Sequence, residues 1–438
     1  MPKRGKLAIN GGVRSVPDSL NLKPWPDITA DDKAAVLAVM ERGTVHGAHS
    51  REALGLEAEW KEFVGSKYVL AFNSGTAALH GGTFAMGIGP GDEVITTALS
   101  FSGTYQPILH QNGIPVFVDV DLRTYNLDVS QIEARITDRT KALVPVHLHG
   151  LPADMDEVMA LAKKHNLFVL EDAAQAHGAR YKGKRAGTIG DVGAFSLNAT
   201  KNFCGGEGGL FVTDNEELYT RAKTMRQYGE QVMDVAEDIR SYACSTIGYN
   251  YRTQELPAAL ARSQLKRLPE YTRIAQRNAQ YLNEELGKIA GLIPPYTPPD
   301  RTHVFYKYRL RFDPEVLGLK IPAVEFRNRL LRALQAEGAQ VTLWHTEPMP
   351  AFPVFQTLNG YGKGCPWSCP FYGKEIRYRK EDYPESIRAL ETTLIVNTEP
   401  YHIAVQDLDA QVAYVEAFRK VFDNLDELLA DGDRSHGQ

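Results

Sequence analysis

Between residues 68 and 213, seven short apolar runs alternate with stretches of helical periodicity, and few folds accept that pattern. The runs cover 68–72, 93–98, 115–120, 141–148, 167–172, 192–197 and 209–213. They are rich in Val, Ile, Leu and Phe and lack clean polar alternation, as strands buried on both faces do. Helices are expected between them over 75–86, 129–136, 154–165 and 215–228. Helical crossovers join parallel strands. In 75–86, Ala78, Leu79, Gly82 and Met86 form a small-residue face suited to packing on a sheet. The sequence thus reads as an α/β protein with a seven-stranded, mostly parallel sheet.

The texture changes further along. A long helical pattern covers 254–289, with Pro257 in its first turn and Pro269 as an expected kink. Pro294, Pro295, Pro298 and Pro299 then interrupt the chain. After them Tyr306, Tyr308, Leu310 and Phe312 alternate with Lys307, Arg309 and Arg311, the pattern of a half-exposed antiparallel strand. A helix over 323–337, a strand over 340–344, a loop rich in Pro, Gly and Cys, and a last helix near 406–429 complete a smaller C-terminal α+β domain. A chain of 438 residues exceeds what one core usually organises. The expected division is a large domain of residues 1–290, with an N-terminal segment 1–30, and a small domain of residues 291–438.

Composition removes several classes. A net charge of −5 without a basic stripe gives no footprint for nucleic acid. No apolar stretch is long enough to cross a bilayer. The basic start is not followed by the apolar run of a secretory signal, and four cysteines do not make a disulfide scaffold. The expected location is the cytoplasm, where thiols stay reduced. Cys365 and Cys369 lack two further soft ligands nearby and read as loop thiols, not a zinc site. His147 and His149 share a strand face without carboxylates at ligand spacing, so they read as core or pocket histidines, and no metal is expected.

In an open parallel sheet, ligands bind at the carboxyl ends of the strands. Three such ends carry chemistry. Asn73-Ser74-Gly75-Thr76-Ala77 opens a helix and offers N–H groups and hydroxyls to an anion, though alone it also reads as a plain N-cap. Glu171 and Asp172 end a very apolar strand, where an ionised acid needs a cationic partner. A protonated pyridine nitrogen would serve; a metal-binding or capping Asp is an equal reading of that stretch by itself. Ser196 ends another strand, Lys201 follows in a small polar loop, and Gly205-Gly206-Glu207-Gly208-Gly209 turns the chain back. A desolvated lysine there would be an imine-forming nucleophile, against the plainer reading of a surface lysine. The glycine turn and distant acid of a nicotinamide site are missing.

Taken in order, Ser74-Gly75-Thr76-Ala77-Ala78-Leu79, Glu171-Asp172-Ala173-Ala174-Gln175, Phe195-Ser196 with Lys201, Gly206-Glu207-Gly208-Gly209, and Gly248-Tyr249-Asn250-Tyr251-Arg252 resemble the DegT/DnrJ/EryC1/StrS sugar aminotransferases. These are fold-type I enzymes dependent on pyridoxal 5′-phosphate (PLP). The resemblance runs from Leu7 to about Pro269 and weakens beyond. It implies that Lys201 holds PLP as an imine (a Schiff base) and moves the proton, and that Asp172 pairs with the pyridine nitrogen. It places Gln175 near the phenolic oxygen and Phe101 on the ring face. It gives the phosphate to Ser74, Gly75, Thr76 and Ser196. Asn250 would reach the phosphate of a neighbouring subunit, making a homodimer with shared sites. Leu197 and Asn198 stand where the family often has Phe and Gln, but the spacing from Ser196 to Lys201 is kept. Some relatives carry histidine at the lysine position and remove a hydroxyl; Lys201 favours transamination.

The implied reaction moves an amino group from glutamate or glutamine to a keto-sugar or an inosose-like ketocyclitol. The segment 365–380, with Trp367, Tyr372, Arg377, Tyr378 and Arg379, resembles the inosose branch. Trp344 and His345 are expected at the substrate mouth. A nucleotide-linked keto-sugar is the alternative acceptor. A PLP lyase, a dehydratase and a non-catalytic PLP sensor are the alternative activities.

Overall fold

The computed structural model describes residues 5–43, 45, 50–236, 239–397 and 399–430. All seven apolar runs form strands: β1 Tyr68–Phe72, β2 Glu93–Thr97, β3 Ile114–Val118, β4 Thr140–Val144, β5 Phe168–Asp172, β6 Val192–Ser196 and β7 Gly209–Thr213. They build one sheet in the order β1-β7-β6-β5-β4-β2-β3. Only β7 runs against its neighbours, so the carboxyl ends of the other six share one edge. Register fixes what meets there. Asp172 pairs with Ala194, and Gly209 lies opposite both Phe72 and Ser196.

Two glycines close that edge into a cradle. A Cβ on Gly209 would stand 2.2 Å from the Ser74 carbonyl oxygen, and a Cβ on Gly75 would stand 2.7 Å from Ser196 Cβ. The chain leaving β1 therefore crosses directly over the ends of β7 and β6 before entering the helix Gly75–Ala85. No larger residue fits at either place without moving backbone.

Several expected elements differ in detail. The region 129–136 forms two 3-10 turns, Val129–Gln131 and Glu133–Arg135, because Asp128 takes the Ser130 N–H at 3.0 Å and starts a tight turn. The pattern over 254–289 is two helices, Glu255–Leu265 and Leu268–Leu286, and Pro269 sits in the first turn of the second instead of kinking a single rod. Helices Ala30–Arg42 and Arg51–Val64, and the antiparallel hairpin of Glu230–Ala236 with Ile239–Cys244, were not foreseen.

The second, smaller sheet is wholly antiparallel, in the order Leu292–Ile293, Tyr308–Phe312, Thr393–Val396, Val341–Thr342. The expected strand over 340–344 is only the last of these. Tyr308, Leu310 and Phe312 bury against Phe326, Leu330, Tyr414 and Phe418. The same core takes Leu7, Val16 and Trp25 and one face of the helix Leu268–Leu286, so those segments pack on the second sheet.

The aromatics of 365–380 have a structural task. Trp367, Tyr372 and Tyr378 join Tyr105, Phe117 and Phe355 in one cluster. The Tyr378 hydroxyl donates to the Pro115 carbonyl at 2.7 Å and accepts from Trp367 Nε1 at 3.1 Å. They cover β3, the exposed edge of the large sheet. Arg377 pairs with Glu375 on the surface. Among the described residues no helix is long and apolar enough to cross a membrane.

Candidate active site

A cavity of about 520 Å³ opens at the carboxyl edge of the large sheet. One wall comes from strand ends. Ser74 caps the helix Gly75–Ala85, its hydroxyl accepting from the Ala77 N–H at 3.1 Å. Gly75 and Thr76 present the unbonded first-turn N–H groups of that helix to the cavity. Ser196, brought against Gly75 by the close crossing, lines the same corner and accepts from the Asn198 N–H at 3.3 Å.

The two adjacent carboxylates of β5 diverge, as strand alternation requires. Glu171 points away from the cavity. It accepts from the N–H groups of Gly187, Ile189 and Gly190 at 2.6–2.7 Å and from His147 Nε2 at 2.8 Å. His147 accepts the Ala153 N–H on Nδ1 at 3.1 Å, so its hydrogen sits on Nε2 and goes to Glu171. Both groups organise loops. Asp172 faces the cavity, accepting from Thr104 Oγ1 at 2.7 Å and from the Ala174 N–H at 3.2 Å. Burial pushes its carboxyl above the usual range, and its hydrogen-bond donors are both neutral.

Lys201 follows β6 through a short turn whose hydrogen bonds run from Thr200 Oγ1 and N to Asn198 Oδ1. Its Nζ lies 3.3 Å from the Tyr306 hydroxyl. Burial lowers its pKa to about 8, against the pull of Asp172, Glu399 and Glu207. Gln175 accepts the His149 N–H at 2.7 Å, leaving its amide nitrogen as the group it can offer the cavity. Phe101 lines the opening and is 55% exposed, an unusual state for a phenylalanine beside a concave site.

The opposite wall was not foreseen, apart from Trp344. Tyr306, Lys307 and Glu399 line it, with Lys307 Nζ on Glu399 Oε2 at 2.5 Å. Thr104, Thr200 and Glu207 were also missed; Glu207 accepts from Asn198 Nδ2 at 2.7 Å. His345 meets Trp344 at 4.2 Å between ring centres with the rings inclined by 52°, but lies outside the cavity, on a neighbouring surface depression. Asn250 does not line this chain's cavity. It is exposed, and its carbonyl accepts from Asn73 Nδ2 at 3.2 Å. Cys365 and Cys369 are free thiols, and no group of three or more His, Cys, Asp or Glu side chains could hold a metal among the described residues.

The cavity therefore offers an anion seat at a helix start, a buried acid whose hydrogen-bond donors are neutral, and an amine that is neutral more often than a surface lysine. Comparison with known proteins agrees with that chemistry. The profile of the DegT/DnrJ/EryC1/StrS aminotransferase family matches residues 26–377. GDP-perosamine synthase of Caulobacter vibrioides is 36% identical over 76% of this chain and 86% of its own length. A protein of Streptoalloteichus tenebrarius, provisionally named an L-glutamine:3-amino-2,3-dideoxy-scyllo-inosose aminotransferase, is 34% identical over 76% of this chain and 79% of its own. Among solved structures, an aminotransferase of Psychrobacter cryohalolentis superposes with a TM-score of 0.80 at 32% identity, covering 93% of this chain and 100% of that one.

Proposed function

This chain belongs to the DegT/DnrJ/EryC1/StrS aminotransferase family, and on that premise we propose that its cavity holds pyridoxal 5′-phosphate and passes an amino group from glutamate or glutamine to a keto-sugar or an inosose-like ketocyclitol. The carrying observation is that Lys201, Asp172 and the start of the helix Gly75–Ala85 converge on one cavity from three separate strand ends.

PLP makes three demands, and the chain offers a group for each. Its phosphate needs donors without bulk. Gly75 lets the helix start lie against Ser196, where a Cβ would not fit, so the backbone N–H groups and the hydroxyls of Ser74, Thr76 and Ser196 gather in one corner. Its ring nitrogen needs an acid, and Asp172 is a buried carboxyl whose hydrogen-bond donors are uncharged. Its aldehyde needs an amine, and Lys201 is one with a pKa lowered to about 8. When bound, the ring supplies an electron sink that lets a carbon beside the amine lose a proton.

The protein's own residues then divide the work. Asp172 holds a proton at the ring nitrogen. Lys201 Nζ would hold the cofactor through its aldehyde and, when free, would serve as the base that moves a proton between the donor α-carbon and the carbon on the other side of the nitrogen. Tyr306 and Thr200 orient that amine from one side, their hydroxyls 3.3 Å apart. Gln175 addresses the phenolic oxygen, and Phe101 covers a ring face. The paired Lys307 and Glu399, beside Trp344, suit a polyhydroxylated ring: a donor and an acceptor for hydroxyls, and a flat surface for C–H groups. Asn250 serves the cofactor phosphate of the other subunit in a cytoplasmic homodimer.

The donor half of the reaction can be tested alone. PLP-loaded protein should show a visible imine band that fades on adding glutamate or glutamine, with one oxo acid released per site. Acceptor ketones are then screened by return of the band, inososes beside nucleotide-linked ketoses. A band that no amino donor discharges would argue for a sensor, and ammonia release without acceptor for a lyase.

A further inference from the structure

The strand Tyr308–Phe312 carries charge away from the cavity. Lys307, Arg309 and Arg311 occupy every second position, while Tyr308, Leu310 and Phe312 fill the core behind them. Lys307 faces the reaction cavity. Arg311 lines a separate cleft of about 390 Å³, whose other sides are Arg123 and Tyr125 in the loop after β3, Asn283, and Tyr296. A second, much smaller space of about 10 Å³, room for a single water-sized group, shares Arg123, Tyr125 and Tyr296 with it and is lined also by Arg309, His149, His303 and Lys307.

The groups in this cleft are short of negative charge. Arg309 is 2% exposed. Its Nε donates to His149 Nε2 at 2.9 Å and its Nη1 to Thr393 Oγ1 at 3.3 Å, leaving Nη2 without a protein partner. The phenol of Tyr125 is the one group that favours its charge, and burial holds that phenol neutral. Arg311 lies near the same phenol, and its Nη1 is buried without an acceptor. Because His149 Nε2 accepts from Arg309, its hydrogen sits on Nδ1, and that N–H also lacks an acceptor. Arg123 stacks over Tyr296 at 4.2 Å. Among the described residues no carboxylate forms an ion pair with any of the three guanidiniums, or lines either space. Buried cations in proteins are ordinarily paired, and guanidinium forks match oxyanions in geometry.

We propose that this cleft is an oxyanion site, taking a phosphate or a phosphomonoester between Arg123 and Arg311, with at most one of its oxygens directed toward Arg309 across the smaller space. The ligand ties the loop after β3 to the second sheet. Its occupancy reaches the reaction cavity through His149, whose ring faces Arg309 and whose backbone N–H donates to Gln175 Oε1.

The test uses the PLP-loaded enzyme, so that the cofactor's phosphate seat is filled. Thermal unfolding is followed while inorganic phosphate, or glucose 6-phosphate, replaces chloride at constant ionic strength. A saturable rise in Tm is expected with at least one of them. Arg311→Met and Arg123→Met should each weaken that binding tenfold or more while leaving the imine band unchanged. Tighter binding of the sugar phosphate assigns the site to a phosphorylated metabolite, and equal binding assigns it to free phosphate. No saturable rise, or the same rise in both variants, overturns the proposal. Should the variants fold poorly, tungstate soaked into crystals of the unaltered holoenzyme decides: anomalous density between Arg123 and Arg311 upholds the site, and a cleft without it does not.

Discussion

The two walls of the reaction cavity hold their charges differently. On the sheet-edge wall, Asp172 is buried with only neutral hydrogen-bond donors, and Lys201 is buried with its charged form disfavoured. On the facing wall, Lys307 and Glu399 pair with each other. A buried group short of a counter-charge gains most from a ligand that brings one, which suits the fixed chemistry of a cofactor. A pair already satisfied can exchange one hydrogen bond for another at small cost, which suits a set of hydroxyls. On the proposed function, the first wall would set the reaction and the second would select what is aminated.

That division can be broken by mutation, and the largest effect belongs to the first wall. Lys201→Ala should lower turnover by about 10⁴-fold, the upper end of what a positioned proton carrier contributes. Single-turnover rates with PLP-loaded variant and glutamate measure it; a loss below tenfold would mean another amine does the work. Asp172→Asn should keep the cofactor but lose about 10²–10³-fold in donor deprotonation, read by the α-deuterium isotope effect and the rate of band loss.

Acidity gives an effect of intermediate size. The folded pKa of Lys201, about 8, lies below its ordinary value of 10.5. Imine formation by the apoprotein should therefore rise about tenfold from pH 7 to pH 9 and then level, since the neutral fraction climbs from about a tenth to about nine tenths. An unperturbed lysine would keep rising through pH 10. The sign for stability follows: the unfolded chain binds the extra proton between pH 8 and 10.5, so this group's contribution to apoprotein stability increases with pH across that window.

The smallest effects sharpen the comparison on the second wall. Glu399→Gln should raise the KM for the acceptor ketone about tenfold while the donor half-reaction stays within twofold, consistent with one lost charge-assisted hydrogen bond. Equal damage to both halves would erase the distinction between the walls. Tyr306→Phe should slow both halves by about threefold to tenfold, because its hydroxyl orients Lys201 without taking the proton.

The sequence made the first wall readable because buried parallel strands must be apolar on both faces, so charged residues at their ends stand out. Lys201 and Asp172 were found that way. Strand position alone left Glu171 and Asp172 equivalent; the family resemblance singled out Asp172, and the observed faces give Glu171 to the loops and Asp172 to the cavity. The helix Ala30–Arg42 left little signal because it buries only Asp32 and Val39. The second wall was illegible for a different reason. Tyr306 and Lys307 precede one strand and Glu399 follows another, and the pairing of Tyr308 with Val396 is what brings them together. Such a register between segments far apart in sequence leaves no local periodicity. The segment 365–380 drew attention as resembling the inosose branch, and its aromatics turn out to seal the edge of β3.

The most direct measurement reduces the PLP-loaded protein with borohydride and locates the modified residue by peptide mass mapping. The account predicts a single phosphopyridoxyl group on Lys201, absent when glutamate is added before the reductant. A label on another lysine, or a label on Lys201 that the amino donor never displaces, would contradict it.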